Sequence, residues 1–471
     1  MESSQSNQRK WLVLLSIGIG TFMTALDTSV VNTVLPVIGK SFQSEVASVE
    51  WVVTIYLLVL SALLLSFGRL GDLRGHKIIY ISGFIVFVGS SMLCGLAPNV
   101  LTLVICRGFQ ALGAAMLAAN SPAILTKSFP SEQRGKVLGL QATMTYLGLT
   151  VGPSFGGWLA SVAGWQAVFY INFPIGILAI WLSLMSIPTD KALKSNERFD
   201  WLGAVLFMIA LSALLLGLNQ GHNWGWSSSP ILILLGGSVA LFMLFYHVER
   251  TEINPMLDLS LFSKRRFTLT TSSAVLNYIG VYSVIFLMPF YLIQGRMLTT
   301  AEAGLLLTAQ PVVMAFVAPL SGTLSDRWGT RWPTVIGMAI LTVGLFFLAL
   351  LGPESSTRTI ALSLGVMGLG TGMFISPNNS ALMGAAPRHR QGIAAGIMAT
   401  ARNFGMVLGV GISGSIFTTI ISHGAGSTAV SDVGGAIFFK ATQVCFLVAA
   451  GIGFIGVFTS ASRIVSTENE K

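Results

Sequence analysis

Apolar stretches long enough to cross a bilayer recur along the whole chain and are separated by short polar segments. A run of about 20 apolar residues spans the hydrocarbon core of a membrane as a helix. The pattern therefore predicts fourteen membrane-spanning helices. These spans lie near residues 11–37, 49–67, 78–97, 100–125, 137–163, 165–187, 200–219, 229–248, 267–293, 302–323, 333–352, 358–383, 392–420 and 438–460.

The composition agrees with this interpretation. Of the 471 residues, 53% are hydrophobic and 10% are charged, whereas soluble domains average about 25% charged residues. The sequence therefore predicts an all-α integral membrane protein. The net charge of +9 could suggest a nucleic-acid partner, so the placement of the basic residues decides its meaning.

Most Lys and Arg residues fall on segments that are cytoplasmic if the N-terminus is cytoplasmic. The segments are short, so the positive-inside rule applies directly. Both termini are then predicted to face the cytoplasm, and nucleic acid is excluded as a partner. Four basic residues lie on predicted external segments, namely Lys40, Arg296, Arg358 and Lys440. Two more lie within predicted spans, namely Arg107 and Arg402.

The loops leave no room for an enzyme. The longest predicted segment between spans, 249–266, is far shorter than a folded domain of about 50 residues or more. Gly39-Lys40-Ser41 has Val34 where a phosphate-binding loop needs its first glycine. Cysteines occur only at Cys94, Cys106 and Cys445, without the spacing of a metal site or a disulfide framework. No cofactor or metal is expected.

An internal repeat defines the domain organisation. Shifting the sequence by 257 residues aligns Gly113 with Gly370 and Gly148 with Gly405, and the segment around Asp72 matches the segment around Asp326 at a nearby offset. Two six-helix units with two additional helices between them explain these offsets. The predicted parts are an N-terminal bundle at 1–187, the inserted pair with its flanking loops at 188–266, and a C-terminal bundle at 267–471.

The segment after the second span reads Gly68-Arg69-Leu70-Gly71-Asp72-Leu73-Arg74-Gly75-His76-Lys77. Glycine suits a tight turn, and a carboxylate can cap the positive N-terminus of a neighbouring helix. The segment is similar to a loop signature of the major facilitator superfamily, whose paired six-helix halves also match the repeat. Leu73 and His76 replace usual basic residues of that signature, which would weaken the cationic side of the loop.

This resemblance implies a latch that holds the outward-facing state. Asp72 would dock on a helix start near Gly392, and Asp326 of the second copy on the helix start near Gly135. The alternative is that these charges only set the topology. The predicted latch residues are Gly68, Asp72, Arg74, Gly75, Asp326, Arg327 and Gly329.

The fifth span contains a complete match to an exporter signature of the same superfamily, at residues 148–157. Spaced glycines let a neighbouring helix approach closely, and a proline bends its helix where a moving bundle must pivot. An ordinary helix-packing seam is the alternative. The predicted hinge residues are Gly148, Gly152, Pro153, Gly156 and Gly157.

Two further motifs resemble those of the fourteen-spanning drug:proton antiporter family. They are Leu26-Asp27-Thr28-Ser29-Val30-Val31-Asn32-Thr33-Val34-Leu35-Pro36 and Trp165-Gln166-Ala167-Val168-Phe169-Tyr170-Ile171-Asn172-Phe173-Pro174-Ile175-Gly176. Gln166 and Ala167 replace the usual Arg and Trp of the second motif. The resemblance covers the whole chain, but its motifs identify no substrate.

Three charges lie deep in predicted spans. An ionised aspartate there costs at least about 2.5 kcal/mol, so it pairs, faces water or takes up a proton. Desolvation favours the neutral acid and a nearby arginine favours the carboxylate, so Asp27 with Arg107 could load and release a proton. A permanent structural ion pair is the alternative. Arg402 could bind an anionic substrate group, serve as a counter-charge or be structural.

By the same resemblance, spans 1, 4, 9 and 12 line the substrate cavity. Amides, aromatic rings and methionine suit bulky lipophilic ligands, although each could simply pack against a neighbouring helix. The candidate cavity residues are Asn32, Gln110, Asn120, Asn277, Tyr278, Tyr282, Phe290, Met373, Asn378, Asn379 and Arg402.

The sequence thus leads to the expectation of a proton-coupled exporter, an antiporter that moves lipophilic, cationic drugs or toxic compounds by alternating access. Its partners would be small lipophilic substrates, protons and membrane lipids. We expect a monomer in the cell (inner) membrane. A dedicated exporter of one endogenous metabolite or lipid is the alternative, and a membrane-embedded enzyme or scaffold is disfavoured.

Overall fold

The computed structural model describes residues 2–44, 46–189, 199–252, 255, 257, 260–298, 300–387, 390–425 and 435–462. Within these ranges the regular elements are helices. They are α1 (Glu2–Phe42), α2 (Val46–Arg74), α3 (His76–Gly95), α4 (Val100–Ser128), α5 (Arg134–Ala163), α6 (Ala167–Tyr170), α7 (Asn172–Ser186), α8 (Trp201–Trp224), α9 (Ser229–Thr251), α10 (Ser260–Ser263), α11 (Arg265–Phe290), α12 (Thr300–Leu307), α13 (Ala309–Trp328), α14 (Arg331–Ala349), α15 (Thr357–Ala385), α16 (Gln391–Ala425) and α17 (Gly435–Ala461).

The predicted all-α membrane fold is confirmed. By length and composition, thirteen helical segments of the described residues can cross a membrane. The fifth predicted span is not one of them, although it coincides with the 30-residue helix α5. The Gly, Ser and Thr residues of α5 lower its hydropathy, and its length still matches the bilayer core.

Several helix boundaries differ from the predicted ones. The segment Gly68–Arg74, expected as a loop, is the helical end of α2. Gly75, with a φ of 97°, is the single non-helical residue between α2 and α3. Gly329 has the same role between α13 and α14, with a φ of 80°. A positive φ is readily adopted by glycine. The latch signature is therefore a helix end followed by a one-residue turn.

The chain folds into two compact units. The first holds residues Met1–Ala213, Ser238–Leu259 and Ala386–Thr400, and the second holds Leu214–Gly237, Ser260–Ala385 and Ala401–Lys471. Helices α8 and α9 lie in the predicted insertion and, like α16, have residues in both units. The predicted boundaries at 187 and 266 stay predictions.

Helix packing repeats from one unit to the other. In the first unit, α4 packs along α2 and α3, and α7 packs against α1 and α3. In the second unit, α15 packs along α13 and α14, and α17 packs against α11 and α14. Each of these four helix pairs of the first unit has a counterpart in the second. The internal repeat of the sequence is thus a repeat of structure.

Pairs of glycines mark the equivalent crossings. A Cβ on Gly113 of α4 would lie 2.7 Å from the carbonyl oxygen of Gly83 on α3. In the second unit, a Cβ on Gly370 of α15 would lie 2.8 Å from the carbonyl oxygen of Gly337 on α14. Such contacts bring helix backbones together without intervening side chains, which strengthens dispersion attraction where lipid provides no hydrophobic drive.

Glycines of the exporter signature form a seam between α5 and α1. A Cβ on Gly148 would meet the carbonyl oxygen of Phe22 at 2.8 Å, and a Cβ on Gly152 would meet Ser29 Oγ at 2.6 Å. Gly156 contacts Val30 in the same way. Pro153 belongs to α5. Gly157 differs, since no atom would lie within 4 Å of its Cβ.

We expect Gly148→Ala to destabilise the protein by about 1–3 kcal/mol, because the added methyl group overpacks against the α1 backbone. Gly157→Ala is the matched control within the same motif, since its methyl group would enter open space. Thermal unfolding of the purified variants measures the effect. Equal melting temperatures for the two variants would contradict the seam.

Candidate functional site

A buried carboxylate in the first unit accepts hydrogen bonds from donors on two neighbouring helices. Asp27, in the middle of α1, is 2% exposed. Arg107 Nη1 on α4 donates to its Oδ2 at 2.7 Å, and Gln110 Nε2, one turn further along, donates to its Oδ1 at 2.9 Å. Asn172 Nδ2, at the start of α7, donates to the same Oδ1 at 2.9 Å. Protein donors therefore take the place of water around the carboxylate.

The arginine of this pair is held as firmly as the carboxylate. Arg107 is 1% exposed. Its Nε donates to the Val52 carbonyl at 3.2 Å, and its Nη1 also donates to Gln110 Oε1 at 2.7 Å. The guanidinium lies 4.1 Å from the ring centroid of Tyr56, in cation–π distance. A second helix, α2, therefore fixes the orientation of the arginine toward Asp27.

Asn172 ties the site to α3. Besides Asp27, its Nδ2 donates to Ser91 Oγ at 2.9 Å, and Ser91 Oγ donates to the Phe169 carbonyl at 2.9 Å. Asn172 belongs to a motif that resembles one of the drug:proton antiporter family, and no role is predicted for it from the sequence. The motif was the available signal, but only the fold shows that this amide reaches Asp27, 145 positions away in the chain.

This arrangement stabilises a buried pair of opposite charges. The carboxylate accepts from three donors, one of which is the guanidinium of Arg107, and removing one partner of such a pair costs about 3–5 kcal/mol. The side chain of Asp27 is closed to solvent here. Another group can therefore contact it only when these helices rearrange.

The end of α2 meets the start of α16 at the predicted latch. Asp72, 5% exposed, accepts from the backbone N–H of Gly392 at 2.9 Å and from that of Ile393 at 3.0 Å, one through each carboxylate oxygen. The backbones of Gly68 and Gly392 are in direct contact. A carboxylate here satisfies two of the unpaired N–H groups of the first turn and complements the helix dipole.

A histidine lies beside this contact. His76 Nε2 lies 3.3 Å from Asp72 Oδ1, with both side chains fully buried. Asn120 Nδ2 donates to the Phe67 and Met116 carbonyls, so its Oδ1 accepts from His76 Nδ1 at 2.7 Å. The ring of His76 thus connects the latch carboxylate with α4. The expectation that His76 weakens the cationic side of the latch stays a prediction.

The remaining latch residues are more open. Arg74 is exposed at the end of α2, and Arg327 and Gly329 are exposed at the end of α13. Asp326 is half-buried in the last turn of α13 and takes part in an interaction. Its predicted pairing with the helix start near Gly135 joins residues of the two units and stays a prediction.

The predicted cavity residues separate into two groups. Four of them are fully buried, and the structure does not present them to a ligand: Gln110, Asn120, Asn277 and Asn378. Gln110 belongs to the Asp27 network, and Asn120 belongs to the latch. The other seven are half-buried or exposed: Asn32, Tyr278, Tyr282, Phe290, Met373, Asn379 and Arg402. Amide residues near a cavity-lining helix often satisfy buried groups instead, which sequence position does not reveal.

We expect Asp27→Asn to lower the melting temperature strongly, because it leaves the Arg107 guanidinium without its counter-charge. Adding Arg107→Gln should recover part of the loss. A double-mutant cycle on purified protein measures the coupling, with Arg358→Gln, an exposed arginine, as the control for charge removal. Additive effects of the two substitutions would contradict the coupling.

Comparison with known proteins agrees with the geometry. The model of the Major Facilitator Superfamily matches residues 17–262 and 270–470. The riboflavin transporter RibZ of Clostridioides difficile is 33% identical over 462 residues, which cover 98% of this chain and 99% of that protein. The multidrug resistance protein Stp of Mycobacterium tuberculosis is 32% identical, over 88% of this chain and 77% of that protein.

A solved structure shares the fold at low sequence identity. The human organic anion transporter MFSD10 superposes with a TM-score of 0.70 at 13% identity, covering 96% of this chain and 99% of that one. Such a likeness shows the fold alone. Together with the family match and the relatives, it means that the chain belongs to the major facilitator superfamily and is a multi-pass membrane transporter, not an enzyme.

Proposed function

We propose that this transporter is a proton-coupled antiporter that exports lipophilic compounds from the cytoplasm. The observation that carries the proposal is the Asp27 network. Among the described spans, Asp27 is the one carboxylate far from a helix end, and its cation and two amide donors sit on helices α4 and α7. A group with these properties can bind a proton in one conformation and release it in another.

The coupling proceeds through the arginine. In the described conformation, Arg107 neutralises Asp27. While the transporter still faces outward, a shift of Arg107 away from Asp27 lets the desolvated carboxylate take up a proton from outside, and the protonated form then converts to the inward-facing state. Return of Arg107 to Asp27 in the inward-facing state expels the proton toward the cytoplasm. Each cycle exchanges protons for substrate because both bias the same conformational equilibrium.

The latch and the hinge support movement between two states. Asp72 on the start of α16 stabilises one state by capping N–H groups that must find other partners in the second state. The tight seam of α5 on α1 provides a surface along which helices can pivot as rigid bodies. We propose that the capped state is the outward-facing one.

The names of two relatives support different substrate ranges for this transporter. One relative is named a multidrug resistance protein, which supports export of several lipophilic compounds. The relative named a riboflavin transporter is similar over nearly the whole chain and favours a second candidate, a dedicated transporter of one metabolite. The described aromatic and methionine positions suit either. We further propose that the protein is a monomer in the cell membrane with cytoplasmic termini.

If Asp27 carries the proton, Asp27→Asn should abolish pH-driven accumulation of substrate in inverted vesicles while substrate exchange without a gradient persists. Matched protein levels and the melting temperature of the variant separate coupling from folding. Substrate-induced proton release provides an independent readout. Retained pH-driven accumulation by well-folded Asp27→Asn would refute the assignment.

The latch predicts a separate phenotype. Asp72→Asn keeps the side-chain volume but turns an amide N–H₂ toward one of the two backbone N–H groups, so transport should fall about tenfold or more with expression near that of wild type. Glu354→Gln, which neutralises an exposed carboxylate, is the control. A wild-type transport rate for Asp72→Asn would show that the contact does not limit the cycle.

A further inference from the structure

The balance of charges in the membrane points to the charge of the substrate. Three charged side chains of the described spans lie far from a helix end: Asp27, Arg107 and Arg402. The first two neutralise each other at 2.7 Å. The remaining charge is positive. A buried or half-buried site with a net positive charge attracts anions and repels cations.

Arg402 lies near mid-depth in the second unit. It is the twelfth residue of α16, about 16 Å from the helix start at 1.5 Å per residue, in a core about 30 Å thick. The other deep or buried carboxylates of these spans have other partners, since Asp27 pairs with Arg107 and Asp72 lies beside His76. The Nε of Arg402 is buried without a hydrogen-bond partner among the described residues. The guanidinium therefore retains unused donors.

Two tyrosines of α11 lie beside the part of α16 that carries Arg402. A Cβ on Gly405, one turn beyond Arg402, would lie 2.8 Å from Tyr278 Cβ, and Tyr282 is one turn further along α11. Both tyrosines and Arg402 are half-buried. Hydroxyl groups beside a guanidinium can donate to an anionic oxygen together with it. None of these three side chains is acidic, so the cluster offers no counter-charge to a positively charged ligand group.

An aromatic stripe continues from this cluster along α11. Tyr278, Tyr282, Phe286 and Phe290 recur every four residues, a spacing that places them along one side of a helix. The centroids of Phe286 and Phe290 lie 5.6 Å apart. The stripe faces α16, since a Cβ on Gly414 would lie 3.7 Å from the Phe286 ring. Half-buried rings in a row suit a flat aromatic ligand.

The first unit lacks this feature, although its helices pack in the same way. A Cβ on Gly148 would contact Ala25 of α1 at 2.9 Å, and at the equivalent crossing a Cβ on Gly405 would contact Tyr278 of α11 at 2.8 Å. Ala25 is thus the counterpart of Tyr278. Thr145 is the counterpart of Arg402 in the sequence repeat. Packing of this helix pair requires neither the aromatic ring nor the guanidinium.

We propose that Arg402, Tyr278, Tyr282 and Phe286 form a binding site for lipophilic organic anions, meaning aromatic compounds that carry a carboxylate, sulfonate or phosphate group. The anionic group is bound by the guanidinium and the tyrosine hydroxyls, and the aromatic part lies along the stripe. This assignment rests on the proposed export function, and it replaces the expectation of cationic substrates with anionic ones.

The test uses two dyes that share one ring system but differ in charge. Fluorescein is an anion under mildly alkaline conditions and rhodamine 123 is a cation. Fluorescence anisotropy measures the binding of each to the purified full chain in nanodiscs, with no proton gradient. We expect wild type to bind fluorescein at least about tenfold more tightly than rhodamine 123. The reverse preference would overturn the proposal without requiring any variant.

Substitutions assign the preference to the cluster. Arg402→Gln should weaken fluorescein binding about tenfold or more, because it removes a charged hydrogen bond, and should leave rhodamine 123 binding unchanged or stronger. Arg402→Lys should retain most of the fluorescein binding. Arg358→Gln is the control for loss of one positive charge elsewhere. Unchanged fluorescein binding by Arg402→Gln, or equal loss of both dyes, would overturn the proposal.

Binding and transport separate this proposal from the proposed function. Fluorescein binding that depends on Arg402, without pH-driven fluorescein uptake into inverted vesicles, would support the site and refute proton-coupled export. Uptake of rhodamine 123 driven by the pH gradient, with no binding of fluorescein, would support export and refute the anion site. Phe286→Leu should weaken fluorescein binding several-fold through lost stacking, and no loss would also contradict the site.

Discussion

A carboxylate buried far from either end of its helix constrains much of the first unit. Asp27 is stable there because Arg107, Gln110 and Asn172 all donate to it. These partners come from α4 and α7, so the network fixes the relative placement of three helices. The same dependence means that a movement of one of these helices would remove a partner from the carboxylate.

Close backbone contact holds helices together where lipid provides no hydrophobic drive for their association. Gly113 on Gly83 and Gly370 on Gly337 form equivalent crossings in the two units, and Gly148 continues this mode of packing between α5 and α1. Small residues allow helices to meet over long, smooth surfaces, which favours movement as rigid bodies. Polar contacts then add to this packing at single points, as where Asp72 accepts from the N–H groups of Gly392 and Ile393.

The two units use the same helix plan for different chemistry. The first unit pairs its deep charges with each other, whereas in the second unit Arg402 lies one turn from Gly405, which packs against Tyr278. The equivalent position to Tyr278 in the first unit is the small residue Ala25. Divergence at such positions, on a scaffold that packs identically without them, is where a transporter can acquire ligand binding at little cost in stability.

Periodicity and composition alone determined the all-α membrane fold, because every backbone group in lipid must be satisfied within a helix. The resemblance of residues 68–77 to a family loop signature also implied that Asp72 would lie near Gly392, and its carboxylate does accept from the N–H groups of Gly392 and Ile393. The sequence did not reveal that Asn172 donates to Asp27 or that His76 lies between Asp72 and Asn120. Those contacts join distant helices, so only tertiary packing determines which amide meets which charge.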